Sequence, residues 1–402
     1  MTLTPHYRWV ALAAAVLFQA STWAFLGFCF AFWVAPWSKD FEVSITQIML
    51  IMTSVMLVTG ASSAIVGRFF DRYPANQLVT LGILMLASGL WLGSYSQTYA
   101  QIFAVYGVML PLACSLTGTL ASQAVAVKWF DGHSQMGLAI GIAAMGISLG
   151  GVVLPPLVES GVDSEGWRWV FRQTALALSV VLAPLMFFVL MPTPESVATK
   201  ENFEQPTGEE AETLVSIPFR DLLKNKYFTI PIIAFFLDGV AYQGFSTNSK
   251  VYMTSIGIAD GAGAIISTLA TTMLIAKILM GKLTDWISYK ALFIGAGLCN
   301  IVGLLIFASG NGELLTVGVL FLGLGAGGLI PLQAKIINHH FGADHFAQVF
   351  GFFLLLQMLG VVGSPLLSGL YEMFGSYSQP FIIMAGCVVI AILMMVTLKR
   401  DQ

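Results

Sequence analysis

Runs of about 20 apolar residues, repeated along the whole chain, constrain this sequence more than any other feature. A helix must offer about 20 such residues to cross the ~30 Å hydrocarbon core of a bilayer. Twelve runs qualify, at about 9–35, 45–67, 77–96, 100–127, 136–158, 170–191, 227–254, 260–281, 290–309, 313–338, 346–370 and 379–398. They are continuous, as in Val10–Phe18 and Cys387–Met395. A β-barrel would instead show segments of about 10 residues with alternating polarity. The expected fold is therefore an all-α polytopic membrane protein with twelve transmembrane helices. Composition agrees: 10% of the 402 residues are charged, 57% are hydrophobic, and mean hydropathy is +0.83. Soluble domains carry about 25% charge. That deficit excludes a soluble enzyme, a nucleic-acid binder and a disordered chain. The first run is too long for a signal-peptide core and reads as a retained helix.

Loop charges orient the spans. Of 18 Lys and Arg, only Lys39, Arg168 and Arg172 fall in loops on one side, and Lys250, Lys277 and Lys335 fall inside spans. The other twelve lie on the side shared by both termini, which the positive-inside bias makes the cytoplasm. Residues 192–226 interrupt the apolar pattern with Pro192, Pro194, Pro206, Pro218 and a charged stretch. They read as a cytoplasmic linker, with a short interfacial helix around Leu214–Lys224. The expected organisation is a six-helix bundle over 1–191, the linker 192–226, and a second six-helix bundle over 227–402. Cys29, Cys114, Cys299 and Cys387 lie within spans without metal-ligand spacing and read as small apolar filler.

The halves repeat. Gly67-Arg68-Phe69-Phe70-Asp71-Arg72 ends the second span, and Gly281-Lys282-Leu283-Thr284-Asp285 ends the eighth, 214 residues later. Gly141 and Gly351, Pro155 and Pro365, and Phe171 and Phe381 each differ by 210. Matches at a nearly constant offset indicate duplication, and an even number of spans per half makes the repeats parallel.

Two six-span halves carrying this loop motif resemble the major facilitator superfamily. Within it, Trp129-Phe130, Gly137-Leu138-Ala139-x-Gly141, Gly146, Gly150, Pro155-Pro156 and Gly166-Trp167-Arg168-xx-Phe171 resemble the monocarboxylate transporter and oxalate/formate antiporter branches. Phe32-xx-Ala35-Pro36 and Lys39-Asp40-Phe41 fit those branches too. The resemblance implies a gate at Gly67, Asp71, Arg72, Gly281 and Asp285. It also implies that Lys277, four residues before Gly281, stands where the branch places an arginine holding a substrate carboxylate. Gly150-Gly151 and Pro155-Pro156 would bend the fifth span.

Ionisable groups at bilayer depth cost at least about 2.5–3.5 kcal/mol and so call for a reason. Lys277 is expected to contact substrate. Asp238, midway along the seventh span, either pairs with Lys277 or carries a proton. Lys335 and Lys250 read as snorkelling cations, and His339 and His340 as interfacial. Gln19, Trp23, Gln123, Tyr242, Gln243, Asn248, Gln333 and Gln357 lie on spans that line the cavity in this superfamily, and Gln19, Gln123, Tyr242 and Gln357 are taken as substrate contacts. There is no Walker element, so ATP does not drive the cycle directly. Gly323-x-Gly325-x-Gly327-Gly328 lies inside an apolar span and reads as helix-packing glycine.

The expected function is secondary active transport of a small organic anion, a carboxylate, by alternating access with proton symport; anion exchange is the alternative, then a receptor or channel. No catalytic residue, metal or cofactor is expected. The partners are the carboxylate, protons and the lipid bilayer, not nucleic acid. A monomer in a bacterial inner (plasma) membrane with both termini cytoplasmic is expected.

Overall fold

The computed structural model describes residues 6–191, 217–258 and 262–398. Among them helix dominates and there is no strand. The spans are α1 Tyr7–Phe30, α2 Ile45–Arg72, α3 Ala75–Gly93, α4 Tyr99–Phe130, α5 Met136–Glu165, α6 Trp167–Val189, α7 Lys226–Ser255, α8 Ala262–Leu283, α9 Tyr289–Ala308, α10 Gly312–Phe341, α11 Phe346–Phe374 and α12 Ser378–Thr397. Eleven of them contain stretches long and apolar enough to cross a membrane. The remaining one, α8, is a 22-residue helix over the predicted eighth span, and it follows directly on residues outside the described set. Residues 192–216 of the predicted linker, Lys399 and Arg400, and the side chains of Trp23 and Lys250 also lie outside the described set. Of the predicted interfacial helix, the described part holds a single turn, Phe219–Leu222, started by Pro218.

The chain divides into two compact units. One is Met1–Ser216 with Phe341–Leu355, and the other is Ile217–His340 with Leu356–Gln402. The boundary differs from the predicted 1–191 and 227–402 bundles chiefly in α11, whose first 10 residues cluster with the first unit.

In the first unit, α1 packs along α5 and against the second part of α4. Gln19 sits fully buried at this junction. Helix α5 runs unbroken through Pro155 and Pro156. Helix α4 is irregular: a π stretch over Val105–Met109 and a break over Leu116–Gly118 precede the segment Thr119–Phe130. A break leaves carbonyls without helical partners, and inside a membrane these must be satisfied internally. Thr22 does part of this, its hydroxyl donating to the Thr117 carbonyl at 3.2 Å. Helix α10 breaks at Gly328, 210 residues after Gly118, so the duplication extends to the interruptions.

Past α1 the chain continues as the helix Ala31–Asp40, where Trp33 and Trp37 pack with Tyr106 and Phe171 at ring separations of 5.0–6.4 Å. Trp167 closes the cluster edge-on to Trp37 at 5.9 Å and donates its indole N–H to Asp40 Oδ2 at 2.9 Å. Arg168 bonds the same carboxylate oxygen and lies over the Trp167 ring. Partial burial raises the Asp40 pKa, but hydrogen bonds from Trp167 and Arg168 and the charges of Arg168 and Lys39 outweigh it and hold the carboxyl below its ordinary value.

In the second unit, α7 packs against α11 and α12, and α10 against α8 and α9. The glycines of α10 are packing residues. A Cβ on Gly323 would meet Thr272 at 2.6 Å, one on Gly327 the Met273 carbonyl oxygen at 2.6 Å, and one on Gly325 the Asn300 side-chain oxygen at 2.1 Å. Without side chains the helices approach closely, which replaces the missing hydrophobic drive between helices in lipid.

Candidate functional site

The functional candidates fall into one set per unit. In the first, the Gln19 amide donates to Thr119 Oγ1 at 3.2 Å, and Gln123, one turn further along α4, donates to the Ile140 carbonyl at 3.3 Å. Both glutamines are fully buried, and each keeps a carbonyl oxygen without a partner. Buried amide oxygens of this kind are what a polar ligand or water would satisfy.

In the second unit, Lys277 lies on α8 with 6% of its surface exposed. Tyr242, half-buried on α7, donates its hydroxyl to Met273 Sδ at 3.1 Å, one turn before Lys277. Asp238 is one turn before Tyr242 and 1% exposed. Its hydrogen-bond donor is Asn300 of α9, whose Nδ2 reaches Asp238 Oδ1 at 2.9 Å; Oδ2 has no partner. Asn300 was not among the sequence candidates. Nothing local marks it: it is one asparagine in an apolar span, 62 residues from its partner.

Gln357 and Gln243 are half-buried on α11 and α7. Asn248 bonds within its own unit, accepting from Ser368 Oγ at 2.9 Å. Gln333, 210 residues after Gln123, is fully buried with neither amide atom paired. Lys335, half-buried, lines a cavity of about 400 Å³ with His339, Lys290, Asp285 and Ser288. His340 stacks on Tyr227 at 4.4 Å and shares a hydrogen bond with the Tyr289 hydroxyl at 3.0 Å. Among the described residues no group of three or more His, Cys, Asp or Glu could hold a metal ion.

The loop motif has a defined geometry in the first unit. Asp71 Oδ1 accepts from the Ala347 N–H at 3.0 Å and Oδ2 from the Gln348 N–H at 2.8 Å. Both belong to the first turn of α11, where N–H groups lack helical partners and the dipole favours an anion. Gly67 makes this approach possible: a Cβ there would lie 2.1 Å from the Ala347 carbonyl oxygen. One turn earlier Ser63 donates to the Gly351 carbonyl at 3.0 Å, and a Cβ on Gly351 would lie 2.3 Å from the Ser63 carbonyl oxygen. Arg68 lies over the Phe352 ring at 5.7 Å. Arg72 is exposed, Gly281 is buried and Asp285 is half-buried. Ser63 also precedes Lys277 by 214 residues, the offset of the two loop motifs.

A multi-pass helical membrane protein built of two units, with buried polar groups inside its spans, is a membrane transporter in class and not an enzyme. The Major Facilitator Superfamily model matches residues 9–266 and 252–402, and the chain belongs to that superfamily. It is 24% identical over 406 residues to the uncharacterized MFS-type transporter YcxA of Bacillus subtilis, covering 97% of this chain and 94% of that protein. An MFS-type transporter of Gibberella moniliformis is 25% identical over 382 residues, with 94% and 87% covered. The Fujikurins efflux protein of Gibberella fujikuroi is 27% identical over 281 residues, with 68% and 56% covered. Among solved structures, the human organic anion transporter MFSD10 superposes with a TM-score of 0.68 at 14% identity, covering 97% and 98%. The E. coli fucose:proton symporter FucP gives 0.70 at 11% identity, covering 98% of each chain.

Proposed function

We propose that this protein moves a small organic anion, a carboxylate, across its membrane by alternating access, coupled to proton symport. The observation that carries this reading is Lys277, a cation on a membrane-spanning helix with 6% of its surface exposed. A carboxylate entering a largely dehydrated pathway loses hydration, and a fixed cation offsets that cost. Lysine gives a point charge where the monocarboxylate branch uses the arginine fork. Gln19, Gln123, Tyr242 and Gln357 supply the polar contacts that orient the substrate. Asp238 carries the proton, and Asp71 with the first turn of α11 forms a gate contact that must break in the cycle. The chain works as a monomer with both termini in the cytoplasm.

The test starts from a thermal-shift screen of the purified protein against a carboxylate panel across pH. Calorimetry with the best ligand then compares wild type with two variants. Lys277→Gln should lose binding while remaining folded, and Lys277→Arg should bind with an altered order among carboxylates. Wild-type affinity in Lys277→Gln would remove the lysine from the site and make Lys335 the next cation to examine.

A second reading, export or exchange of organic anions, is favoured by relatives named efflux proteins. Inside-out and right-side-out vesicles separate the two. Symport follows an imposed pH gradient, whereas exchange requires an anion on the far side and ignores the gradient.

A further inference from the structure

The Asp238–Asn300 pair leaves two oxygens unsatisfied. Asp238 Oδ2 and Asn300 Oδ1 are both buried and both without partners, although the two side chains share a hydrogen bond of 2.9 Å. An ionised carboxylate only accepts, a carboxylic acid also donates, and a primary amide does both. The amide is also confined. Its oxygen lies against the backbone of α10 at Gly325, where an added Cβ would come within 2.1 Å of it. The charged and titratable side chains on the elements packed against α7 are Lys277 and Lys282 on α8, Tyr289, Lys290 and Cys299 on α9, Tyr371 and Glu372 on α11, and Cys387 on α12. None of them bonds Asp238, whose partner is Asn300.

We propose that Asn300 is the positioning residue that lets Asp238 exist in both protonation states inside the membrane. With Asp238 ionised, Asn300 donates through Nδ2, as seen here. When a proton from solvent adds to the carboxylate, one O–H bond forms and the amide turns end for end. Asn300 Oδ1 then accepts from the new hydroxyl, so the two side chains keep a hydrogen bond to each other in both states. Loss of the proton to the opposite side reverses the turn, and no electrons move. Gly325, lacking a Cβ, leaves room for whichever end of the amide lies against α10. This inference rests on the reading that Asp238 carries the coupling proton.

Infrared difference spectra of the purified protein across pH test it. Wild type should show the C=O stretch of a protonated carboxylic acid that is missing in Asp238→Asn. In Asn300→Leu, which cannot donate to the carboxylate, that band should survive to a pH about one unit more alkaline, because a hydrogen bond to a charged group is lost. Asn300→Ser, which keeps a hydroxyl that donates and accepts, should fall between, and Gly325→Ala, which displaces the amide from behind, should resemble Asn300→Leu. Proton-driven uptake should fall in the same order. An unchanged titration in Asn300→Leu, with the Asp238 band present, would overturn the role of Asn300 and leave Asp238 in place. Absence of any Asp238-dependent band in wild type that still couples to protons would overturn both.

Discussion

The proposed transport chemistry rests on single residues, and Asp238 allows the sharpest separation of steps. Its buried carboxyl is the proposed carrier of the coupling proton, while substrate exchange needs no net proton movement. Asp238→Asn should therefore abolish uphill uptake driven by a pH gradient and spare counterflow. Uptake that still follows the gradient would remove Asp238 from the mechanism. A second residue-scale expectation concerns Asp40 and Arg168. Asp40 titrates below its ordinary value when folded, so its contribution to stability is full above the unfolded pKa of about 3.9 and fades as pH falls through the lower folded value. The two side chains are 30% and 39% exposed, so screening keeps the contribution under about 1 kcal/mol. Arg168→Gln should lower the unfolding temperature slightly at pH 7, and the difference from wild type should shrink as pH falls below the ordinary carboxylate range. Trp37, fully buried against five other rings, is a far larger contributor: Trp37→Ala should cost about 3–5 kcal/mol. The sequence marked Lys277 and Asp238 because charge inside an apolar run is conspicuous. It could not mark Asn300, since an asparagine is costly in lipid only until its partner is known.

At the scale of elements, the contact between α2 and the first part of α11 is held by two backbone N–H groups on Asp71 and by glycines that let the helices touch. Asp71→Asn weakens charge-assisted bonds of about 1.5–3 kcal/mol and so destabilises the conformer in which α2 and α11 touch; return to that conformer, and with it turnover, should slow about tenfold or more. Substrate affinity should barely change, because Asp71 lies outside the proposed binding set. Normal turnover would reduce the motif to a loop anchor. Gly351→Ala attacks the same contact sterically and should cost about 1–3 kcal/mol of stability, read as a lower unfolding midpoint in detergent. The helices themselves were legible from apolar run length, because each must span the bilayer. Their interruptions were not. The π stretch in α4 has no periodic signature, since it adds one residue to a turn without changing composition. The break at Gly328 could have been anticipated from Gly118 by the 210-residue offset, but only once one of the two was known.

For the whole molecule, duplication and topology are the testable properties. The proposed topology, argued from loop charge, has both termini and residues 192–226 in the cytoplasm. Single cysteines at Ser160 and Thr207, introduced after replacing the four native cysteines, report on this. An impermeant thiol reagent outside intact cells should label the first and spare the second, and the reverse result would invert the topology. Internal repeats gave the expectation of two halves. The assignment of 341–355 to the first unit was not readable from them, because it depends on what the first turn of α11 touches more than 270 residues away in sequence.

The pairing of Asp238 with Asn300 also bears on how the chain is made. Asp238 enters the membrane with α7, and the amide that donates to it follows 62 residues later, on the next helix but one. At ribosomal speeds of about 5–20 residues per second, the carboxyl must wait roughly 3–12 s for that amide. During this interval α7 carries an unpartnered carboxyl, so release into lipid costs less when α7, α8 and α9 leave the insertion machinery together.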